Sequence, residues 1–248
     1  MNEVTKNLRK EILTVSHLVN AGHIPSAFSI LEIIFSLYEN VLTEKDEFIL
    51  SKGHGCLAFY AVLLHKGLIT KDQFYSFSKY DSILGGHPDR NKLKDIKASS
   101  GSLGHGLPIA VGIALSKKIK KEKGNIYCLI GDGECNEGTI WESLLLADKL
   151  NLDNLICIVD NNQSQVRAVP TNNLINKFSS FNLDTQHIYG HDIKLLSDTL
   201  SQKKYKPTVL VCDTIKGFGI KEMEDNMFSW HHGAPNKEKY EQFMKELS

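Results

Sequence analysis

The sequence predicts an α/β protein, a doubly wound and mainly parallel sheet with helices on both faces. Three observations lead there. The runs "NIYCLIGD" (125–132), "NLICIVDNN" (154–162) and "PTVLVCDTI" (207–215) are apolar and rich in β-branched residues, without alternation. Strands buried on both faces read this way. Between the first two lies "EGTIWESLLLADKLN", whose apolar spacing is helical and whose length suits a crossover, giving a βαβ unit of about 35 residues. No internal repeat, low-complexity tract or Gly/Ser/Pro-rich linker interrupts the alternation, so residues 1–248 read as one domain.

The other elements follow in order. "NLRKEILTVSHLVN" and "SAFSILEIIFSLYENVL" carry helical periodicity on either side of a break at Gly22–Pro25, with Ser26 as the expected cap of the second helix. "DEFILS" reads as a short strand leading into Gly53-His54-Gly55 and a helix near residues 56–66. Residues 103–121, "LGHGLPIAVGIALSKKIKK", form a Gly- and Ala-dotted helix suited to close packing on a sheet. The basic run Lys117–Lys123 sits at its end, where cations complement the negative pole of the helix dipole. "NKEKYEQFMKELS" closes the chain as a helix.

Composition narrows the function classes. With 42% hydrophobic and 23% charged residues the chain reads as a soluble globular protein. Its formal charge is +0, from 29 basic and 29 acidic residues, so no net field draws it to nucleic acid or an anionic membrane. No apolar stretch reaches the ~18 residues of a membrane span, and "MNEVTKNLRKEILT" has no signal-peptide core. Five cysteines (Cys56, Cys128, Cys135, Cys157, Cys212) form no C-x-x-C pair and make an odd total. Reduced thiols in a cytoplasmic protein are expected, with neither a disulfide frame nor a structural zinc site.

The chemistry gathers at strand ends, where open α/β sheets bind their ligands. Asp132 ends one expected strand and Asp160-Asn161-Asn162 ends the next. A carboxylate facing an amide oxygen is a hard oxygen pair suited to Mg²⁺ or Ca²⁺, too few for a closed cage but enough for a metal bridged to a bound phosphate. Gly131 and Gly133 let backbone N–H groups approach an anion, and the helix from Gly138 aims its positive end there. There is no G-x-x-x-x-G-K-[ST], and "GDGECNEG" misses G-x-G-x-x-G, so neither a P-loop nor a dinucleotide site is indicated.

A GDG followed, 30 residues after its Asp, by an Asn at the next strand end resembles the thiamine diphosphate motif. Along nearly the whole chain the resemblance is to the transketolase family. It is carried by "GHIPSAFSILEII", "DEFILSKGHGCLAFYAVL", "LGGHPDR", "SGSLGHGLPIAVGIAL", the GDG segment and "TIKGFGIKEMEDNMFSWHHGAP". The resemblance implies thiamine diphosphate and Mg²⁺ (or Ca²⁺) as cofactors. Asp132 and Asn162 would bind the metal with the backbone carbonyl of Ser164. Gly133 and His54 would bind the diphosphate. Gly101, Ser102 and Leu103 would line the cofactor loop, with Glu134 of the GDG segment grouped on the cofactor side. His23, His54, His87 and one of His231 or His232 would surround the reacting carbon, and Glu137 would belong to a carboxylate network between two active sites. Histidine, with an ordinary pKa near ~6.5, suits proton transfer to sugar oxygens near neutrality.

The resemblance covers only the diphosphate-binding half of a complete transketolase. It therefore implies an N-terminal subunit of a split enzyme moving a two-carbon ketol unit between sugar phosphates. The pyrimidine-binding and C-terminal domains would lie on a separate partner chain, in an α₂β₂ assembly. Half of another thiamine diphosphate enzyme, a 2-oxoacid dehydrogenase or a deoxyxylulose-phosphate-synthase-like protein, is one alternative; "SKGHG", "GGHP" and "KGFG" together favour transketolase. A non-catalytic subunit is the other, and the intact His23, His54, His87, Asp132 and Asn162 argue against it. The sequence departs from the family pattern at His105 (Gln is common), Asp89 (Glu is common) and Ile24-Pro25 (Pro-Gly), and keeps only a loose likeness after Asn162.

Overall fold

A computed structural model describes residues 1–248. Five strands form one fully parallel sheet in the order β1-β2-β3-β5-β4. They are β1 (Glu47–Leu50), β2 (Ile126–Gly131), β3 (Leu155–Asn161), β4 (Asp184–Tyr189) and β5 (Thr208–Asp213). Successive side chains leave opposite faces, and the sheet has a core on each. Phe48, Tyr127, Leu129, Ile156, Ile158 and Leu210 enter one; Ile49, Cys128, Ile130, Cys157, Val159 and Val211 enter the other.

The first core is the larger because its helices stack two deep. Helix α1 (Glu3–Val19) is capped by the Asn2 side chain on the Thr5 amide, and α2 (Ile24–Ser36) lies beneath it with all 13 residues buried. A helix buried on every side must be apolar all round, and "IPSAFSILEIIFS" is, except for its serines and Glu32. Helix α3 (Cys56–His65) joins this layer and α4 (Lys71–Tyr75) follows it, opened by a Thr70–Gln73 capping box. The second core is covered by α5 (Gly106–Lys120), α6 (Gly138–Lys149) and the short α7 (Leu174–Ser179). Helix α8 (Ile193–Leu200) follows β4, and α9 (Lys221–Asp225) and α10 (Lys237–Glu246) complete the chain. None of these helices is long and apolar enough to cross a membrane.

The expected fold class holds, with two corrections. Helix α2 starts at Ile24 after His23, and Ser26 lies inside its first turn rather than capping it. Pro25, preset for helix and lacking an N–H, makes the earlier start favourable. Strand β4, "DTQHIY", is not among the strands the sequence predicts. As an edge strand it is partly exposed and polar, so it offers no apolar run to detect.

Candidate active site

The carboxyl ends of β2 and β3 lie side by side, with Gly131 paired to Asp160. Asp160 is fully buried and gathers four donors. Its Oδ2 is ion-paired with Lys52 and accepts hydrogen bonds from Ser29 Oγ (2.8 Å) and Asn162 Nδ2 (2.7 Å), while Oδ1 accepts from Thr214 Oγ1. Because the Asn162 amide gives its NH₂ to Asp160, its Oδ1 turns the other way. There Ser164 N–H lies between Asn162 Oδ1 (3.0 Å) and Asp132 Oδ2 (3.1 Å). The Ser164 carbonyl accepts no hydrogen bond within the chain. The side-chain oxygens of Asp132 and Asn162 thus converge on the Ser164 amide at the sheet edge.

Asp132 is only 2% exposed. Burial first, and the nearby Asp160 charge second, raise its pKa above the usual carboxylate range, with Lys52 only partly opposing. A buried carboxylate short of positive charge is a place for a cation. Close by, the balance is reversed. Lys216 is 3% exposed, and burial followed by the charge of Lys52 pulls its ammonium down to about 8. Lys52 Nζ also donates to Ser26 O (3.2 Å), in the first turn of α2. Ser26 Oγ is buried there without any partner. A positive helix end, two buried lysines and an orphaned hydroxyl together form a place for an anion.

The histidines line the next space. His23, His54, His87 and His232 line a cavity of about 150 Å³, floored by Cys56, Leu57 and Phe77. The His23 ring centroid lies 4.5 Å from that of His232, 5.4 Å from His54 and 5.6 Å from His231. His231 takes a separate position, its Nδ1 accepting from Lys216 Nζ at 3.1 Å. The segment carrying both is pinned by Gly233 N–H on Gly22 O (3.0 Å). Burial, then the neighbouring histidines, lowers His23 to about 4; burial, then Lys52, lowers His54 to about 2.

Residues 4–247 match the family model described as the transketolase thiamine diphosphate binding domain. The chain belongs to the transketolase family. It is 36% identical to an apulose-4-phosphate transketolase subunit of Actinobacillus succinogenes, covering 100% of this chain and 95% of that protein. The protein of the same name from Phocaeicola vulgatus is 32% identical over 97% of this chain and 91% of its own length. Among solved structures, the transketolase of Campylobacter jejuni superposes with a TM-score of 0.86 at 27% identity, over 99% of this chain. The chain spans 43% of that longer transketolase.

The site fits the cofactor of a transketolase. No three His, Cys, Asp or Glu side chains form a self-sufficient metal site. Asp132, Asn162 and Ser164 instead offer a partial oxygen set beside a cationic pocket, which suits a metal bridged to a diphosphate. Gly133 keeps open space on its Cβ side, nothing lying closer than Gln165 Oε1 at 4.0 Å, while its N–H is held by Asp132 Oδ1 (2.9 Å). Binding a diphosphate through that N–H requires the bond to be exchanged.

The remaining predicted residues fall on two loops. Gly101 lies against His87, where an added Cβ would meet the ring at 3.2 Å; Ser102 and Leu103 are exposed beside it. Glu134 is buried and hydrogen-bonded through both oxygens. It accepts from Ser51 Oγ (2.5 Å), Gly104 N–H (2.9 Å) and Gly131 N–H (2.9 Å), tying three loops together. Its carboxylate thereby holds these loops in place. Glu137 is exposed at the start of α6, next to the Gly104 loop and outside the histidine cavity. Sequence alone gives Lys52, Lys216 and Ser26 no part in the site, and Asp160 only a place at a strand end. Each lies inside or beside a motif segment, but a single lysine or serine carries no spacing signal. Of the histidines outside the motifs, His17, stacked on Tyr240, and His187, near Asp213, serve the scaffold.

The lowered histidines give a pH test. Unfolded histidine titrates near ~6.5. With folded values below this, the unfolded chain binds more protons as pH falls, so these groups stabilise fully above that value and lose the contribution as pH drops. From pH 7 to pH 5 the melting temperature of the cofactor-free chain is expected to fall more in wild type than in His54→Asn. Equal losses in the two proteins would show that His54 is not held neutral by its surroundings.

Proposed function

We propose that this chain is the diphosphate-binding subunit of a two-chain transketolase, moving a two-carbon ketol unit from a ketose phosphate to an aldose phosphate. The observation that carries this is the joint occurrence, at one sheet edge, of an undercompensated Asp132, a cationic pocket around Lys52 and Lys216, and a histidine-lined cavity. Thiamine diphosphate, when bound, supplies the electron sink for breaking the carbon–carbon bond. Asp132, Asn162 and the Ser164 carbonyl hold Mg²⁺ or Ca²⁺. Lys216, Ser26, His54 and Gly133 hold the diphosphate, and Gly101, Ser102 and Leu103 border the cofactor.

His23, His87 and His232 hold and move protons at the sugar's hydroxyl and carbonyl oxygens. Burial disfavours the charged form of His23, so the ring meets a sugar oxygen as a neutral hydrogen-bonding group. His231, bound to the Lys216 ammonium, serves the anion pocket instead. The two adjacent histidines that the sequence leaves undistinguished therefore take different tasks, and His232 faces the cavity.

A partner chain carrying the pyrimidine-binding domain completes the site, and Glu137 faces the symmetry-related contact of an α₂β₂ assembly. The two relatives named as transketolase subunits, both spanned almost entirely by this chain, support that division. Five buried free thiols are in keeping with a cytoplasmic setting. Because the Actinobacillus relative is named for apulose 4-phosphate, that ketose phosphate is the first donor to test. Co-expressed with its partner, the chain is expected to show thiamine-diphosphate-dependent ketol transfer from apulose 4-phosphate or from a linear ketose phosphate. Turnover of 2-oxoacids with no ketol transfer would replace this reading.

A further inference from the structure

A second buried charged group lies behind the anion pocket. Arg9 and Glu32 are fully buried and paired twice, Nη1 to Oε1 at 2.6 Å and Nη2 to Oε2 at 2.9 Å. His191, 6% exposed, places Nδ1 at 2.9 Å from Glu32 Oε2. Its Nε2 accepts the Ile215 backbone N–H at 2.9 Å. That amide can only donate, so Nε2 carries no proton and Nδ1 does. The imidazole is thereby held neutral, with its N–H on the carboxylate. Burial alone would raise Glu32, but the His191 hydrogen bond and the Arg9 charge overcome it and hold the carboxyl at about 2. One guanidinium, one carboxylate and one neutral imidazole leave no uncompensated charge.

The group holds one segment at both ends. The His191 ring stacks on Phe218 with centroids 3.8 Å apart. Arg9 Nε donates to Phe218 O at 2.8 Å. Between the Ile215 and Phe218 anchors Gly217 N–H donates to Pro25 O (3.1 Å), and just before them Thr214 is fixed to Asp160. Every residue from Thr214 to Phe218 is thus tied down through its backbone or a short side chain except Lys216, whose long side chain reaches into the anion pocket.

We propose that His191, braced by Glu32 and Arg9, is a positioning residue that fixes the 214–218 segment and so places the Lys216 ammonium for the cofactor's diphosphate. This rests on the diphosphate reading above, but His191 touches neither the pocket nor the histidine cavity.

Two variants separate hydrogen bonding from bulk. His191→Phe keeps the stacking ring and loses donor and acceptor; His191→Gln keeps one of each. In the cofactor-free chain, hydrogen exchange across 214–218 is expected to speed up about tenfold or more in His191→Phe. In the complex with its partner, the thiamine diphosphate Kd rises about tenfold while kcat at saturating cofactor falls by about threefold or less. His191→Gln is expected within about threefold of wild type in all three measurements. A purely structural role would lower the folded fraction and move kcat with it, leaving the Kd of the folded remainder unchanged; that result overturns the proposal. Unchanged exchange in His191→Phe overturns it as well. Should His191→Phe fail to fold, His191→Asn keeps the donor to Glu32, withdraws the acceptor from Ile215, and is read in the same way. Lys216→Met tells a failure here from a failure of the underlying reading. If it binds thiamine diphosphate like wild type, the diphosphate assignment fails, whereas the exchange contrast in the cofactor-free chain does not depend on it.

Discussion

Asp132→Ala is expected to weaken metal and thiamine diphosphate binding by the partnered enzyme at least about 100-fold and to take ketol transfer to background. Of the two side chains whose oxygens meet at the Ser164 amide, Asp132 alone carries a full negative charge, so its loss removes most of the attraction for a divalent cation. The same residue carries an opposite prediction for the cofactor-free chain. Its folded pKa is raised, so the native state holds a proton more tightly than the unfolded state. The carboxylate then costs stability as pH rises from the ordinary carboxylate range, and the full cost is reached above the shifted value. Asp132→Asn should melt higher than wild type without cofactor at pH 7, with the gap closing in acid. With metal and cofactor present the order should reverse. Metal affinity unchanged in Asp132→Ala would remove the site from this sheet edge.

The pattern of what the sequence disclosed follows from which physics leaves a local trace. β2, β3 and β5 are buried on both faces, so each had to be apolar throughout and announced itself. β4 lies at the edge with its residues partly wetted, and nothing in "DTQHIY" demands a strand until β5 is present to pair with it. The site behaves likewise. Asp132 and Asn162 stand at the ends of legible strands, and the spacing between them is fixed by the crossover helix. The lysines that define the anion pocket are separated by more than 160 residues. They meet only because the loop after β1 reaches across β2 and the loop after β5 lies beside β3, so that Lys52 and Thr214 both bind Asp160 at the end of β3. Glu134 shows the converse. Its place in the motif marks it, but its bonds to Ser51, Gly104 and Gly131 form a set that exists only after folding.

Lys52 and Asp160 provide the other large effect, because both are almost fully buried and each is the other's counter-charge. Lys52→Met leaves the carboxylate with Ser29, Thr214 and Asn162 as dipolar partners but no positive charge in contact. Asp160→Asn strands the ammonium and also removes the acceptor that orients Asn162. Breaking a buried pair on one side costs about 3–5 kcal/mol, whereas replacing both partners by neutral groups is close to neutral. Each single variant should therefore unfold at much lower urea concentration than wild type, and Lys52→Met/Asp160→Asn should regain most of the loss. Binding should not follow stability. The double variant restores neither a cation beside the anion pocket nor a carboxylate to hold the Asn162 oxygen toward the metal point, so its thiamine diphosphate and metal affinities should stay low. Urea midpoints and cofactor titrations on the same four proteins test this. If the double variant recovered both quantities, the pair would be a fold element alone. If it recovered neither, the loss in the single variants would come from packing around Ser26 and Ser29 rather than from stranded charge.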